Sequence, residues 1–284
     1  MSDSPASTPP SWFAVQLGYA LSPIQFRKAI ADIAGGWQHR SLWTMIGLHD
    51  IRQRYRRSFI GPFWITISMG VMVAGIGILY SQIFKRDLQE YLAYLSAGFV
   101  SWGLISSLVV DGCKTFISAE HLIKQLNAPL SVHAYSVLWS NVLTSAHNIW
   151  IFVVVALWFG VKPGWPLLFV LPALALVLLN GFWIALLFGL LSARFRDIPM
   201  IIASIVQVML FMTPIFWSAD MLPGRTALLD GNPFYHFVTI LRSPLLGQVP
   251  PLENWMAAIA ITVVGWLLAL LFYTAYRWRL AFWV

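Results

Sequence analysis

The chain has a single cysteine, Cys113, and therefore neither an internal disulfide nor a thiolate zinc cluster. Charge is scarce as well: Asp, Glu, Lys and Arg make up 10% of its 284 residues, against about 25% in soluble domains. None of the five lysines follows a glycine, so no G-x-x-x-x-G-K-S/T loop exists to cradle a nucleotide phosphate. H-E-x-x-H, G-x-S-x-G and paired inner carboxylates are missing too, and with them the common signatures of metallopeptidase, hydrolase and acid–base chemistry. No catalytic residue, metal or cofactor is expected on this chain. The opening MSDSPASTPPSW has neither a basic n-region nor an apolar h-region, so no cleaved signal peptide is expected. Residues 1–36 read as a partly disordered tail, and the first span acts as the uncleaved signal.

What is abundant is apolar. Hydrophobic residues make up 59% of the chain and its mean hydropathy is +0.73, whereas soluble proteins are about 45–50% apolar. The class is an all-α integral membrane protein. Its clearest boundary is IRQRYRRSFIGPFW, residues 51–64, where Arg52, Arg54, Arg56 and Arg57 run into a stretch without charge from 58 to 84. An arginine near the bilayer centre costs roughly 2.5–3.5 kcal/mol on insertion scales, so this border marks the water–lipid interface. The uncharged stretch has 27 residues, enough as a helix to cross hydrocarbon that is about 30 Å thick.

Six runs qualify as spans, at about 58–84, 91–110, 130–159, 166–191, 198–217 and 255–273. An even number puts both termini on one side. That side holds thirteen of the eighteen Lys and Arg residues, which makes it cytoplasmic. The formal charge of +7 follows from this flanking of spans, not from the basic face of a soluble module that nucleic acid would require; no nucleic-acid partner is expected.

No predicted span holds an interior Asp, Glu, Lys or Arg, which disfavours an ion-coupled carrier; no internal repeat points to an inverted-repeat transporter either. Gly181, Ala185, Gly189 and Ala193 recur every fourth residue in the fourth run, a small-xxx-small face for close helix approach. Gly70, Gly75 and Gly77 in the first are less regular. Asn141, His147, Asn148 and Asn180 are suited either to interhelical hydrogen bonds or to ligand contact.

Outside the spans, residues 37–57 space Leu42, Met45, Leu48, Ile51 and Tyr55 as one face of a helix. With Asp50 and Arg54 as an i,i+4 pair, this is an amphipathic helix on the inner membrane surface, its arginines near lipid headgroups. In residues 111–130, Ser118 caps a short helix in which Glu120 and Lys124 pair, and Asn127 and Pro129 end it. That helix has too little area to stand alone and docks either on the chain's own span ends or on a separate cytoplasmic protein. Before the last run, GNPFYHFVTILRSPLLG (231–247) offers Asn232 as cap and Pro233 at the first position. Arg242 and Pro244 interrupt it, so it is too short to cross and reads as re-entrant or interfacial. Aromatics are 15% of the chain, with fifteen tryptophans; most belong to interfacial belts. Tyr94, Phe99, Trp102, Trp139 and Trp183 fall inside spans, where their faces serve either helix packing or contact with sugar rings.

Taken in order, these blocks resemble a known family. RYRRSFIGPFWITISMGVMV (54–73) is similar to the start of span one in type-2 ATP-binding-cassette exporter permeases of the polysaccharide and O-antigen group. DGCKTFISAEHLIKQLNAPLSVH (111–133) resembles that group's coupling segment, and ARFRDIP (193–199), MTPIFW (212–217) and GNPFYHFVTILRSPLLG resemble its later blocks. The resemblance covers about residues 40–280 and implies a homodimer of six-span subunits in the bacterial inner membrane, with two copies of a cytoplasmic P-loop ATPase, which binds Mg-ATP, docked beneath. Glu120, His121, Leu122 and Lys124, with Arg54 and Arg57, would touch the ATPase. The cargo would be an undecaprenyl-diphosphate-linked polysaccharide, with Arg52, Arg56 and Arg57 near its diphosphate. Tyr94, Phe99, Trp102 and Trp139 would line the glycan path, and Phe234, Tyr235, Phe237 and Arg242 would gate the exit. Two alternatives stand beside it: the same architecture carrying capsular polysaccharide, teichoic acid or a small hydrophobic compound, and a membrane transferase acting on a lipid-linked sugar.

Overall fold

The computed structural model describes residues 22–54, 63–221 and 227–284. Ser22 opens the first helix by accepting from the Gln25 amide, and Pro23 takes the first helical position, where a missing N–H costs nothing. This helix, α1 (Pro23–Gln38), stops at His39, and α2 (Arg40–Arg54) follows. Residues 23–36, expected within a partly disordered tail, are therefore helical. The interfacial helix expected over 37–57 starts in the last two residues of α1, breaks at His39 and continues as α2; Tyr55, Arg56 and Arg57 lie outside the described residues.

The apolar helix α3 (Phe63–Ile83) is followed by α4 (Leu88–Ser118), whose first turn is capped by Asp87 accepting from the amides of Gln89 (2.8 Å) and Glu90 (3.3 Å). α4 runs well past the expected end of span two at residue 110. Asp111 and Lys114 do not stop it, because Gly112 and Thr115 keep its inner face buried against the rest of the bundle. Ser118 is accordingly the last residue of α4 and caps nothing; the short helix α5 (Glu120–Gln125) starts after Ala119, without a side-chain cap.

Next come α6 (Ser131–Phe159), closed by Gly160 in the left-handed region (φ 71°), then a 3-10 turn (Trp165–Phe169) leading into α7 (Val170–Arg194). α8 (Ile198–Met212) ends sooner than the expected residue 217, since Pro214 forces Thr213 into an extended conformation (ψ 136°). The one-turn α9 (Ala227–Asp230) precedes α10 (Pro233–Leu245), which Asn232 caps as expected. α10 continues through Arg242 and Pro244, contrary to the interruption read there. Pro244 falls in the last turn, where it ends the helix without breaking it. α11 (Leu252–Tyr276), a 3-10 turn (Arg277–Arg279) and α12 (Leu280–Trp283) finish the chain.

α3, α4, α6, α7 and α11, three of them with their flanking short elements, are long and apolar enough to cross a membrane. α8 has 15 residues, about 22 Å of helix at ~1.5 Å per residue, and is shorter than a full crossing. α4 is the axis of the subunit and packs against α3, α6, α7, α8 and α10. Its most extensive partner is α7, and the small-residue face expected there is the seam. A Cβ on Gly181 would sit 2.9 Å from Leu108, and one on Gly189 would sit 3.0 Å from Phe116. α3 is peripheral by contrast: 11% of its apolar window is buried, against 67% for α4.

Candidate coupling and conduit sites

α5 is the most open charged element between the long helices. None of its residues is buried, and Lys124 donates to Glu120 at 2.7 Å. That ammonium holds the Glu120 carboxyl below its ordinary pKa. His121 and Lys124 are exposed, and Glu120 and Leu122 are half-buried, so the four proposed contact residues share one accessible surface. A polar cavity of about 440 Å³ opens beside them between α2, the end of α4, α5 and α6, lined by Asp50, Asp111, Lys114, Leu122, His133 and Ser136. Asn141, expected as either glue or ligand contact, donates to Asp111 at 3.2 Å and so ties α6 to α4. Arg52 is exposed on α2, whose end includes Arg54. Arg56 and Arg57 lie outside the described residues.

Three of the proposed path aromatics, Tyr94, Phe99 and Trp102, lie on α4. Phe99 and Trp102 are 4% and 7% exposed, the former packed edge-on to Phe216 (5.4 Å) and the latter against Phe234 (5.2 Å). Tyr94 turns its hydroxyl to the carbonyls of Pro214 and Trp217, both at 3.0 Å. Phe99 and Trp102 pack in the interior of the subunit, and Tyr94 serves the non-helical backbone at 213–217, which needs partners that lipid cannot supply. Trp139 faces α2, 5.9 Å from Trp43. Trp37, Trp43, Tyr135, Trp139, Phe182 and Trp266 together wall an apolar groove of about 590 Å³.

The proposed gate is buried too. Residues 236–245 of α10 are all inaccessible, and Arg242, 6% exposed, donates to the Pro214 carbonyl and lies 4.2 Å over the Tyr94 ring. Phe234 and Tyr235 are half-buried at its start. His236 bridges Asn254 of α11 (2.8 Å) and the Asp230 carbonyl (3.0 Å), fixing α10 to both neighbours. The block MTPIFW is thus held by side chains from α4 and α10.

Asn180 donates to Thr262 of α11 (2.6 Å) and accepts from the Trp183 indole (2.8 Å), so it is interhelical glue. Asn180→Leu should strip both partners and lower stability by about 1–2 kcal/mol, read as a fall in melting temperature in detergent.

Asp32, expected within the N-terminal tail, is held by four partners. Its Oδ1 accepts from the Ser131 amide (3.0 Å) and the Tyr273 hydroxyl (2.7 Å), and its Oδ2 accepts from the Leu130 amide (3.1 Å). Arg277 lies 3.7 Å away. One signal was legible: Gln25, Ala29, Asp32 and Gly36 recur at helical spacing, and Gln25, Ala29 and Gly36 are buried.

The sequence matches the ABC-2 type transporter family over residues 42–246. The chain belongs to that family. Its relatives include the O-antigen export system permease protein RfbA of Myxococcus xanthus, 22% identical over 234 residues that take in 80% of this chain and 89% of the relative. Two proteins of the same description from Klebsiella pneumoniae are each 22% identical over 230 residues, 79% of this chain and 89% of theirs. This ABC-2 transporter chain is a multi-pass membrane subunit, and the family match spans α2 through α10, including the exposed α5 and the buried α10. α1, α11 and the 3-10 turn after it, which hold Asp32, Tyr273 and Arg277, lie outside the match.

Proposed function

We propose that this chain is the permease of an ATP-driven exporter that moves an undecaprenyl-diphosphate-linked polysaccharide of O-antigen type across the bacterial inner membrane. Two copies form the conduit, and two copies of a separate cytoplasmic P-loop ATPase, which bind Mg-ATP, drive it. The observation that carries this reading is α5, a charged helix with no buried residue, in an ABC-2 chain without a phosphate-binding loop. Such a helix is the handle a separate motor needs. The names of the relatives support the cargo. The second copy is supported by α3, where a Cβ on Gly70 or Gly75 would meet nothing within 4 Å: small residues on a lipid-exposed helix suit close approach of another helix.

In this scheme both termini are cytoplasmic, six segments cross with α8 as the short fifth, and α9 and α10 re-enter from the outer side. Glu120, His121, Leu122 and Lys124, with Arg54 and Arg57, meet the ATPase. Arg52, Arg56 and Arg57 receive the diphosphate by charge-assisted hydrogen bonds. α10 gates the exit through Phe234, Tyr235, Phe237 and Arg242. Because Tyr94 and Arg242 both bind Pro214, opening would pivot on residues 213–217.

Purification from the native membrane should bring down a P-loop ATPase, and Glu120→Lys should reduce that recovery about tenfold with an unchanged melting temperature. The chain should also restore surface O-antigen to a bacterium deprived of its own permease but keeping its own glycan synthesis. Turnover of a lipid-linked sugar by the purified chain alone would instead establish the transferase.

A further inference from the structure

We propose that Asp32 is a positioning residue that locks α1, the α5–α6 turn and the foot of α11 into one rigid lever. Movement imposed on α5 is thereby delivered to both ends of the chain. The inference rests on the reading of α5 as the ATPase-facing helix.

The carboxylate is saturated. It offers about four acceptor sites when ionised, and it meets two amides, the Tyr273 hydroxyl and the Arg277 guanidinium. The amides belong to the first turn of α6, so the negative charge also faces the positive end of a long helix dipole. Backbone contacts repeat the connection: Ser131 Oγ donates to the Asp32 carbonyl (2.7 Å) and Tyr135 to that of Ile33 (3.2 Å). Any Cβ at Gly36 would collide with Ser131 Oγ, so glycine there permits the close approach. Tyr273, Ala29 and Leu280 are 0% exposed and pack in one apolar cluster with Phe182 and Ala134. The carboxylate is thus held from three elements with no room to rearrange.

The other side of α5 is looser. It joins α4 through the break at Ala119 (φ −95°, ψ 8°), without a side-chain cap, and its Ile123 packs on the apolar cluster that holds Phe116. A push on α5 would bend that junction and travel through residues 126–130 to the start of α6. There Asp32 passes it to α1 and, through Tyr273 and Arg277, to the last long helix. These two receiving elements fall outside the family-matched residues 42–246, so the clamp connects the chain's own flanks to the shared core.

The test uses the complete chain with its co-purified ATPase in lipid nanodiscs. Spin labels at Lys28→Cys on α1 and Phe282→Cys on α12, both exposed sites, report the distance across the clamp; native Cys113 is buried. The expected result is one narrow distance distribution, the same without nucleotide and with ATP trapped. Asp32→Asn should broaden it, because an amide NH₂ would face donors. In cells, Asp32→Asn should lower export per ATP hydrolysed about tenfold while hydrolysis and ATPase recovery persist. Tyr273→Phe, which removes a single bond, should give an intermediate loss and carries the test should Asp32→Asn fail to insert. The clamp is overturned if the unsubstituted pair changes distance between states, if the variants leave distance and export ratio unaltered, or if export and hydrolysis fall together in both. Failure of the unsubstituted chain to export glycan would sink the exporter reading, while the distances would still judge the clamp.

Discussion

Arg242→Ala is expected to destabilise the subunit by about 2–3 kcal/mol and to loosen the bend after α8. The side chain is buried, donates to Pro214 and stacks over Tyr94. Among the described residues no carboxylate pairs with it. Removing it relieves the cost of a buried charge. The loss outweighs that relief, because the Pro214 carbonyl would lose a donor in a region where water cannot replace it, and a cavity would open beside Gly98, whose added Cβ would lie 3.8 Å from the arginine. Arg242→Lys should not rescue, since an ammonium can neither stack in the same way nor reproduce the guanidinium fork. Tyr94→Phe keeps the ring but drops the hydroxyl contacts, and should cost about 1 kcal/mol. The double variant should be less than additive, because both donors serve the same carbonyl. Melting temperature in detergent, with cysteine accessibility across residues 213–217, measures both parts; unchanged values in Arg242→Ala would refute the anchoring role.

Gly189→Leu should have the larger effect on folding. Gly189 faces Phe116, and an added Cβ would lie 3.0 Å from that ring and 3.3 Å from the carbonyl of Gly112. Phe116 is fully buried, and the opposing carbonyl belongs to α4, so neither can retreat. Even alanine should cost about 1–3 kcal/mol through overpacking. Leucine would hold α4 and α7 apart along the principal seam of the subunit, and most of the protein should be lost from the membrane fraction. Gly70→Ala is the control: with open space around it, the better helix propensity of alanine, worth up to about 1 kcal/mol, should leave the subunit as stable or slightly more so. Quantitative membrane-fraction blots and melting curves separate the two sites, and equal behaviour would refute the seam.

Much of this was readable along the chain. The apolar runs located the long helices, though α4 continues past its run to Ser118, since hydropathy is local and a spanning helix must satisfy its own backbone. The Gly181–Ala193 periodicity announced a contact face, and the Glu120–Lys124 spacing announced its ion pair. The faces of the aromatic residues were not readable. Phe99 and Trp102 look the same in sequence whatever they face, and only the tertiary structure brings Phe216 and Phe234 against them. α10 looked like a short re-entrant or interfacial helix, interrupted at Arg242 and Pro244; burial and the Pro214 carbonyl make both acceptable inside it.

Asp32 shows the same division most sharply. From composition it is one acid in a tail of little hydrophobicity, and its helical face is visible only as the spacing of Gln25, Ala29 and Gly36. Its partners are 98 to 245 residues away, a separation no local pattern encodes. The sequence by itself determined that the chain is a membrane-embedded helical subunit and where its long helices run, because both depend on transfer between water and lipid, residue by residue. Tertiary structure alone decided which polar groups meet and which rings are enclosed, because hydrogen bonds and close packing depend on what the rest of the chain brings within a few ångströms.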